Sequence, residues 1–161
     1  MLVAFNKLPL DSRVWVYSCN RKFVQKEIIS IRNDLKDFLS NWTSHNQNLE
    51  TAFELRYNRF IIIAINQEIN NVSGCSIDIC VRFIKKLENK YEVDLLDKMN
   101  IVFKQDKHIY HKKLNEFISM YKNNSVSLNT VVFNNLVNTV SEYKFKWEIP
   151  AKESWHKRFM N

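Results

Sequence analysis

The chain has 161 residues, of which 45% are hydrophobic and 13% aromatic; this apolar content excludes an intrinsically disordered protein, and the length favours one domain over residues 1–161. No apolar run approaches the roughly 18 residues that a membrane span needs. The N-terminus lacks the basic and apolar regions of a signal peptide, so we expect a cytoplasmic protein without a membrane partner.

The net charge is +7, from 24 Lys and Arg against 17 Asp and Glu. A basic protein attracts anionic partners such as RNA. The basic residues are spread along the whole chain, however, and Lys, Asn and Ile are frequent together, which is also the codon bias of an AT-rich genome. The charge alone leaves both explanations open.

The numbers of cysteines and glycines limit which metal and nucleotide sites the chain can form. Three cysteines (Cys19, Cys75 and Cys80) in a chain without an export signal indicate free thiols, and their spacing is not that of a zinc site. One glycine cannot build a Walker A loop or a dinucleotide-binding loop. We therefore expect no cofactor and no metal.

The first predicted strand is Arg13–Ser18, which is apolar or aromatic on both faces. A helix of about five turns follows, because apolar residues then recur at steps of four and three with charged residues between them. These residues are Val24, Ile28, Ile31, Leu35, Phe38 and Trp42.

The next two predicted strands form a hairpin. Residues Thr51–Tyr57 alternate between apolar and polar, which is typical of a strand with one solvated face. Asn58 and Arg59 predict a tight turn, and Phe60–Ile65 predicts a strand buried on both faces.

A second helix is predicted from the apolar stripe Ile77, Val81, Ile84, Leu87 and Tyr91, with Ser73 or Ser76 as its N-cap. A strand at Asn100–Lys104 completes the order β-α-β-β-α-β. That order predicts an α+β protein with a ferredoxin-like core, in which the first and third strands are central.

Two central strands buried on both faces require a cover on the second face of the sheet. We expect the C-terminal extension, residues 106–161, to cover the core of about residues 10–105. A homodimer is the alternative. The extension supplies a short amphipathic helix (Leu114, Phe117, Ile118 and Tyr121) and further apolar residues (Val131, Val132, Phe133, Leu136, Val137, Phe145, Trp147 and Trp155).

The first candidate site is the stretch at residues 70–78, which contains the only glycine. Gly74 indicates a positive φ or a close approach, and Cys75 lies at a helix N-terminus, which favours the thiolate. The stretch predicts a nucleophilic cysteine or an anion site; the alternative is a capped turn beside a small buried thiol. The anion or partner-binding candidates here are Asn70, Asn71, Ser73, Gly74, Ser76, Asp78 and Arg82.

A second candidate is the hairpin, where Arg56 and Arg59 flank Tyr57 and could bind a phosphate or carboxylate. The alternative is that these arginines pair with Glu54 or Asp78.

His108 and His111 could share one helical face near Asp106, but no third metal ligand is evident at a predictable spacing. If Cys75 is a nucleophile, its base must be one of the four histidines: His45, His108, His111 or His156.

Seven blocks carry a resemblance to a known family: Leu8–Pro9 with Arg13–Tyr17, Phe53–Ala64, Ser73–Asp78, Val81–Ile84, Asp97–Asn100, Val132–Val137 and Ser154–His156. They resemble a family of small uncharacterised Bacteroidetes proteins often labelled "ABC transporter ATPase". The resemblance implies a bacterial cytosolic protein. ATP hydrolysis of that type requires a glycine-rich phosphate loop and its lysine, so we expect none here.

The sequence favours a non-catalytic binding or adaptor module whose partner is an anionic ligand, RNA or a protein. The alternative is a small cysteine-dependent enzyme centred on Cys75. Thiol reactivity and the surroundings of Gly74 distinguish the two.

Overall fold

The computed structural model describes all 161 residues. Helices and strands are mixed along the chain, which confirms the α+β class. The helices are α1 (Gln25–Asn41), α2 (Gly74–Tyr91), α3 (Leu114–Lys122) and α4 (Val140–Lys146). The strands are β1 (Arg13–Ser18), β2 (Thr43–Ser44), β3 (Gln47–Asn48), β4 (Thr51–Arg56), β5 (Phe60–Ile65), β6 (Asn100–Gln105), β7 (His108–Lys113), β8 (Val131–Phe133) and β9 (Glu148–Pro150).

The first sheet has three antiparallel strands in the order β1-β5-β4. Every residue of β5 is buried, because the strand is central and both faces of the sheet are covered. The hairpin between β4 and β5 turns through Tyr57 and Asn58, each with a φ of 54°. The expected pairing of β1 with β5 is therefore confirmed, although β1 lies at an edge of the sheet rather than inside it.

Helices α1 and α2 pack on one face of the first sheet, as the apolar stripes predict. Ile31 and Leu35 of α1 and Ile84 of α2 are fully buried against β5 side chains such as Ile61 and Ile63. At this spacing the apolar residues of each helix form one stripe, which removes them from water together.

A second sheet, in the order β7-β6-β8-β9, covers the other face of the first. Val102 and Phe133 from this sheet pack with Phe60 and Ile62, and Trp147 after α4 closes the same cluster. The far side of the second sheet packs on α3 and the C-terminal 3₁₀ segment (Trp155–Phe159). The result is four layers in the order helix, sheet, sheet, helix, and the C-terminal region covers the second face as expected.

The four-stranded ferredoxin-like order does not form. Strand β6 exists where the sequence predicts its fourth strand, but it pairs with β7 and β8 in the second sheet instead of joining β1. Residues 106–107 close a tight β6–β7 hairpin, and this local pairing needs less loop closure than a return to β1. The expected boundary near residue 105 therefore falls inside a hairpin.

Candidate functional site

Strand β1 has an outer edge that the first sheet leaves mostly unpaired. Its inner edge pairs with β5 along its whole length. The N–H of Val14 points outward and donates to the carbonyl of Asn138 at 2.9 Å. Because backbone groups alternate between the two edges of a strand, the N–H and C=O of Val16 and Ser18 also point outward. Neither of these N–H groups has a partner beyond the strand.

A cleft of about 500 Å³ opens along this outer edge. Apolar residues dominate its lining, and three of them remain strongly exposed: Met99 (55%), Leu136 (50%) and Phe159 (40%). Concave sites with clustered exposed apolar side chains are typical of ligand or partner binding. Besides β1, most of the lining comes from residues 95–100, 133, 135–138, 155 and 158–159, and Leu114 completes it.

The charged residues that line the cleft are mainly basic. Arg13, Lys98 and Arg158 line it, and none of the three forms a salt bridge. The one acidic lining residue, Asp97, is neutralised by the Lys113 ammonium at 2.8 Å, which lowers the pKa of the Asp97 carboxyl. The cleft therefore presents three uncompensated cations to a ligand.

Three polar groups in the lining lack partners. Ser18 and Asn100 are buried, and neither Ser18 Oγ nor Asn100 Nδ2 makes a hydrogen bond. Trp155 Nε1 lines the same cleft and is likewise buried and unpartnered. Buried polar groups in folded proteins nearly always have partners. These three are therefore positions where atoms of a ligand or of water can bind.

The predicted anion site at the N-terminus of α2 is occupied by the protein's own hydrogen bonds. Ser73 Oγ is the N-cap and accepts from the Ser76 N–H at 3.1 Å. Ser76 Oγ donates to the Thr43 carbonyl at 2.8 Å, and the Ser73 N–H donates to Ser44 Oγ at 3.1 Å. These groups dock the helix on the β2–β3 hairpin.

The other candidates around this turn are spread over the surface. Asn70 Nδ2 donates to the Asn48 carbonyl at 3.1 Å. Asn71 is exposed in the loop before α2, and Asp78 and Arg82 are exposed on α2. The structure does not bring these side chains together around a common cavity.

The expectation for Gly74 is wrong. It is the first residue of α2, has no positive φ, and a Cβ built on it would meet nothing within 4 Å. Scarcity of glycine in the chain therefore carried no information about backbone geometry at this position.

Cys75 is the one exposed thiol of the three. It makes no hydrogen bond and lines neither the cleft nor a smaller polar depression beside Glu88 and Asp94. Cys19 and Cys80 are buried, and burial raises the pKa of the Cys80 thiol to about 12. His156, a candidate base, lies in the fourth layer, on the far side of both sheets from α2.

The two arginines of the hairpin have different surroundings. Arg56 lies over the rings of Tyr57 and Trp147, at 5.2 and 5.4 Å, and donates to Tyr143 Oη at 3.3 Å. Its carboxylate neighbour is Glu54 at 3.9 Å, one of the two partners considered from the sequence. Arg59 is only 6% exposed, and its Nε and Nη1 have no partners.

The histidine pair lies on a strand, not on a helix. His108 and His111 belong to β7, where residues three apart point to opposite faces. His111 Nε2 bonds Asn100 Oδ1 at 2.7 Å, while His108 is exposed and Asp106 occupies the hairpin turn. No group of three metal-ligating side chains occurs in the structure.

Sequence reasoning missed the cleft. Its walls come from four segments far apart in the chain, and no segment alone has a recognisable spacing. The only signals were an arginine next to aromatic residues at Arg13–Trp15 and Arg158–Phe159, a combination that is also common on ordinary surfaces.

No protein-family model, curated protein or solved structure matches this chain. None of the helices combines the length and the apolar character that crossing a membrane requires.

Proposed function

We propose that the protein is a non-catalytic binding module that takes an acidic, extended peptide segment along the outer edge of β1. The observation that carries this proposal is the outward orientation of the Val16 and Ser18 backbone groups into the cleft. An extended peptide presents N–H and C=O groups at the same spacing, so it can pair with an edge strand through main-chain hydrogen bonds.

Charge and apolar surface define the kind of peptide. Carboxylates are attracted by Arg13, Lys98 and Arg158, which all line the cleft. This local attraction holds whether the net charge of +7 reflects codon bias or an anionic partner. The exposed side chains of Met99 and Leu136 favour apolar residues in the partner. A sequence that alternates acidic and apolar residues suits both.

The available edge is short. The segment at residues 138–140 already pairs with the beginning of β1, so about three residues of added strand, or roughly 10 Å, can pair beyond it. A short edge flanked by charges limits uncontrolled pairing between copies of the chain. Partner specificity must then come from the side chains that enter the cleft.

The proposal is tested by amide hydrogen exchange followed by NMR. The probe is an acetylated peptide of about seven residues that alternates Val and Glu. We expect the amides of Val16 and Ser18 to become protected, while that of Tyr17, which is already bonded to β5, does not change. A Val–Lys peptide is the matched control and should give no protection.

Charge-reversal variants complete the test. Arg13→Glu and Lys98→Glu should weaken binding of the acidic peptide and reduce its salt dependence, whereas Lys36→Glu, on the exposed side of α1, should not. Protection that requires only higher protein concentration would instead show that a second copy of the chain occupies this edge. Unchanged exchange at Val16 and Ser18 with saturating peptide would refute the proposal.

A further inference from the structure

The other edge strand of the first sheet, β4, also leaves backbone groups unpaired. Its inner edge pairs with β5 along its whole length. On its outer edge the Thr51 N–H donates to the Met1 carbonyl at 2.9 Å. Alternation along the strand therefore directs the N–H and C=O of Phe53 and Leu55 outward as well. None of these groups has a backbone partner.

The N-terminal residues close only the beginning of this edge. Leu2 bridges Thr51 in a parallel pair, and the Val3 N–H donates to the Thr51 carbonyl at 2.8 Å. The ladder ends there, since no bond joins the Phe53 N–H to this segment, and the chain turns into a 3₁₀ segment at Phe5–Lys7. An edge with unpaired backbone groups can accept another strand. The open part of β4 thus begins at Phe53.

The side chains of the open part carry opposite charges. Glu54 and Arg56 point to one face of the sheet, toward α4, where Tyr143 Oη donates to Glu54 Oε2 at 2.6 Å. Arg56 donates to the same hydroxyl at 3.3 Å, and its ion-pair partner within the chain, Glu54, is 3.9 Å away. The side chains of Arg56 and Glu54 remain 42% and 34% exposed. Both can therefore contact a partner without first being uncovered.

An antiparallel copy of β4 complements this charge pattern. When a two-fold axis passes through Leu55, the backbone groups of Leu55 in the two copies bond each other, and Glu54 of one copy lies opposite Arg56 of the other. Side chains directly opposite have Cβ atoms about 5 Å apart, whereas residues two apart along one strand are separated by roughly 7 Å. Each guanidinium is then nearer to the carboxylate of the other copy than to that of its own chain.

Charge also selects the register and the edge. A two-fold axis at Glu54 would place two carboxylates opposite each other, which is destabilising. Pairing of two copies at β1 would bring the unpaired cations of the cleft together. Beside the β4–β5 turn, Lys104 and Glu148 form a salt bridge with each other, so they add no net charge to the β4 edge.

We propose that the protein forms a weak homodimer in which β4 pairs antiparallel with β4 of a second copy, centred on Leu55. The two three-stranded sheets become one continuous sheet. Strand β1 of each copy is then an outer edge of the joined sheet, so the cleft stays open. About three paired residues per copy bury less than the roughly 1,600 Å² of a standard interface. We therefore expect a dissociation constant of about 0.1–1 mM.

The first experiment measures self-association of charge variants by sedimentation equilibrium. Glu54→Arg places like charges opposite each other in the dimer, and so does Arg56→Glu. Each variant alone should self-associate at least about tenfold more weakly than the wild type. An equimolar mixture of the two should associate again, because every reversed charge then faces an opposite charge on the other chain. A salt bridge within one chain cannot produce this recovery.

Lys36→Glu, on the exposed side of α1, is the control and should associate as the wild type does. Circular dichroism establishes that each variant is folded. Self-association of either single variant at the wild-type level would overturn the dimer. A mixture of folded variants that stays monomeric would also overturn it, as would a wild type that is monomeric at about 1 mM.

The second experiment uses the wild type alone, so it does not depend on the folding of a variant. Amide hydrogen exchange is followed by NMR at about 0.05 and 1 mM protein. The Leu55 amide should exchange more slowly at the higher concentration, while that of Glu54, which already pairs with β5, does not change. Unchanged exchange at Leu55 would overturn the dimer. Slower exchange at Val16 and Ser18 in its place would overturn it too, because the copies would then pair at β1.

Discussion

The N–H of Val14 donates to the carbonyl of Asn138 at 2.9 Å, and this bond fixes the segment after β8 against the beginning of β1. The segment runs antiparallel to β1, and the residues before Asn138 form a turn in which the Val137 N–H donates to the Asn134 carbonyl at 3.4 Å, so they do not pair with Val16. The same contact that closes part of the edge thus forms one wall of the cleft. An open edge of about three residues follows from where this segment leaves the strand.

Proline substitutions test which backbone groups of β1 face the cleft. Proline removes an N–H, and it is tolerated at edges that face solvent. The Trp15 N–H pairs with β5, whereas the Val16 N–H points outward. At each position, the alanine variant accounts for the loss of the side chain, so the further loss in free energy of unfolding on going from alanine to proline reports on the N–H. We expect this further loss to be about 1–3 kcal/mol larger at Trp15 than at Val16. Urea denaturation measures it; equal differences would contradict the orientation.

Gly74→Ala should stabilise the protein. The residue begins α2 with no positive φ, and an added Cβ meets no atom. Alanine restricts the unfolded chain more than glycine, so we expect a gain of up to about 1 kcal/mol. Ser76→Ala is the contrasting variant, because it removes the bond to Thr43 and should cost about 1 kcal/mol. Thermal unfolding distinguishes the two, and a loss of stability in Gly74→Ala would indicate a ligand or contact at this turn.

Much of the fold could be predicted from periodicity. The helical spacing of Ile28, Ile31 and Leu35 and the continuous apolar run of β5 report directly on burial, because each depends on neighbours along one element. The apolar faces of β1 and β5 also predicted that something covers the second face of the first sheet. The pairing partner of β6 could not be predicted, because no property of its residues distinguishes a strand at the edge of one sheet from a strand in the centre of another.

The candidate site was much less predictable. Arg59 was named as an anion-binding candidate from its place beside a turn, but no local pattern indicates that the folded chain leaves it only 6% exposed. Gly74 and Cys75 drew attention because glycine is scarce, and scarcity is a property of composition rather than of geometry. The cleft arises only when four distant segments meet, so no local pattern encodes it.

The three cysteines should react with iodoacetamide at different rates. Cys75 is exposed, whereas Cys19 and Cys80 are buried and burial raises the pKa of both thiols. We expect Cys75 to be labelled first in the native protein, and all three at similar rates in denaturant. Mass spectrometry of timed digests measures this order. Cys75→Ser should change the free energy of unfolding by less than about 0.5 kcal/mol, and early labelling of Cys80 would contradict the packing of α2.

His156 should make stability depend on pH. The residue is 1% exposed, and its Nδ1 forms a hydrogen bond with Ser154 Oγ at 2.7 Å. Burial lowers its pKa from 6.5 to about 4. Between about pH 6.5 and 4, His156 therefore binds a proton in the unfolded state but not in the folded state. The free energy of unfolding is highest above this range and falls as the pH is lowered through it.

The loss over the window should reach about 3 kcal/mol, at 1.36 kcal/mol for each pKa unit. Urea denaturation at a series of pH values measures the slope for the wild type and for His156→Gln, which should be flatter. His45→Gln, at the exposed β2–β3 turn, is the control and should keep the wild-type slope. An unchanged slope in His156→Gln would show that other groups carry the pH dependence.

Arg59→Met should leave the free protein as stable as the wild type or make it more stable. Methionine fills much of the same volume, and the substitution removes a buried charge whose Nε and Nη1 have no partner. Replacing buried charges by apolar residues of similar size is often neutral or stabilising by about 1–4 kcal/mol. Arg21→Met is the contrasting variant, because its guanidinium is bonded to Glu27 at 2.8 Å and its loss should destabilise the protein slightly. Equilibrium denaturation without added anions measures both. A loss of several kcal/mol in Arg59→Met would mean that the chain itself compensates this charge, and the buried guanidinium would then be a structural element rather than a binding group.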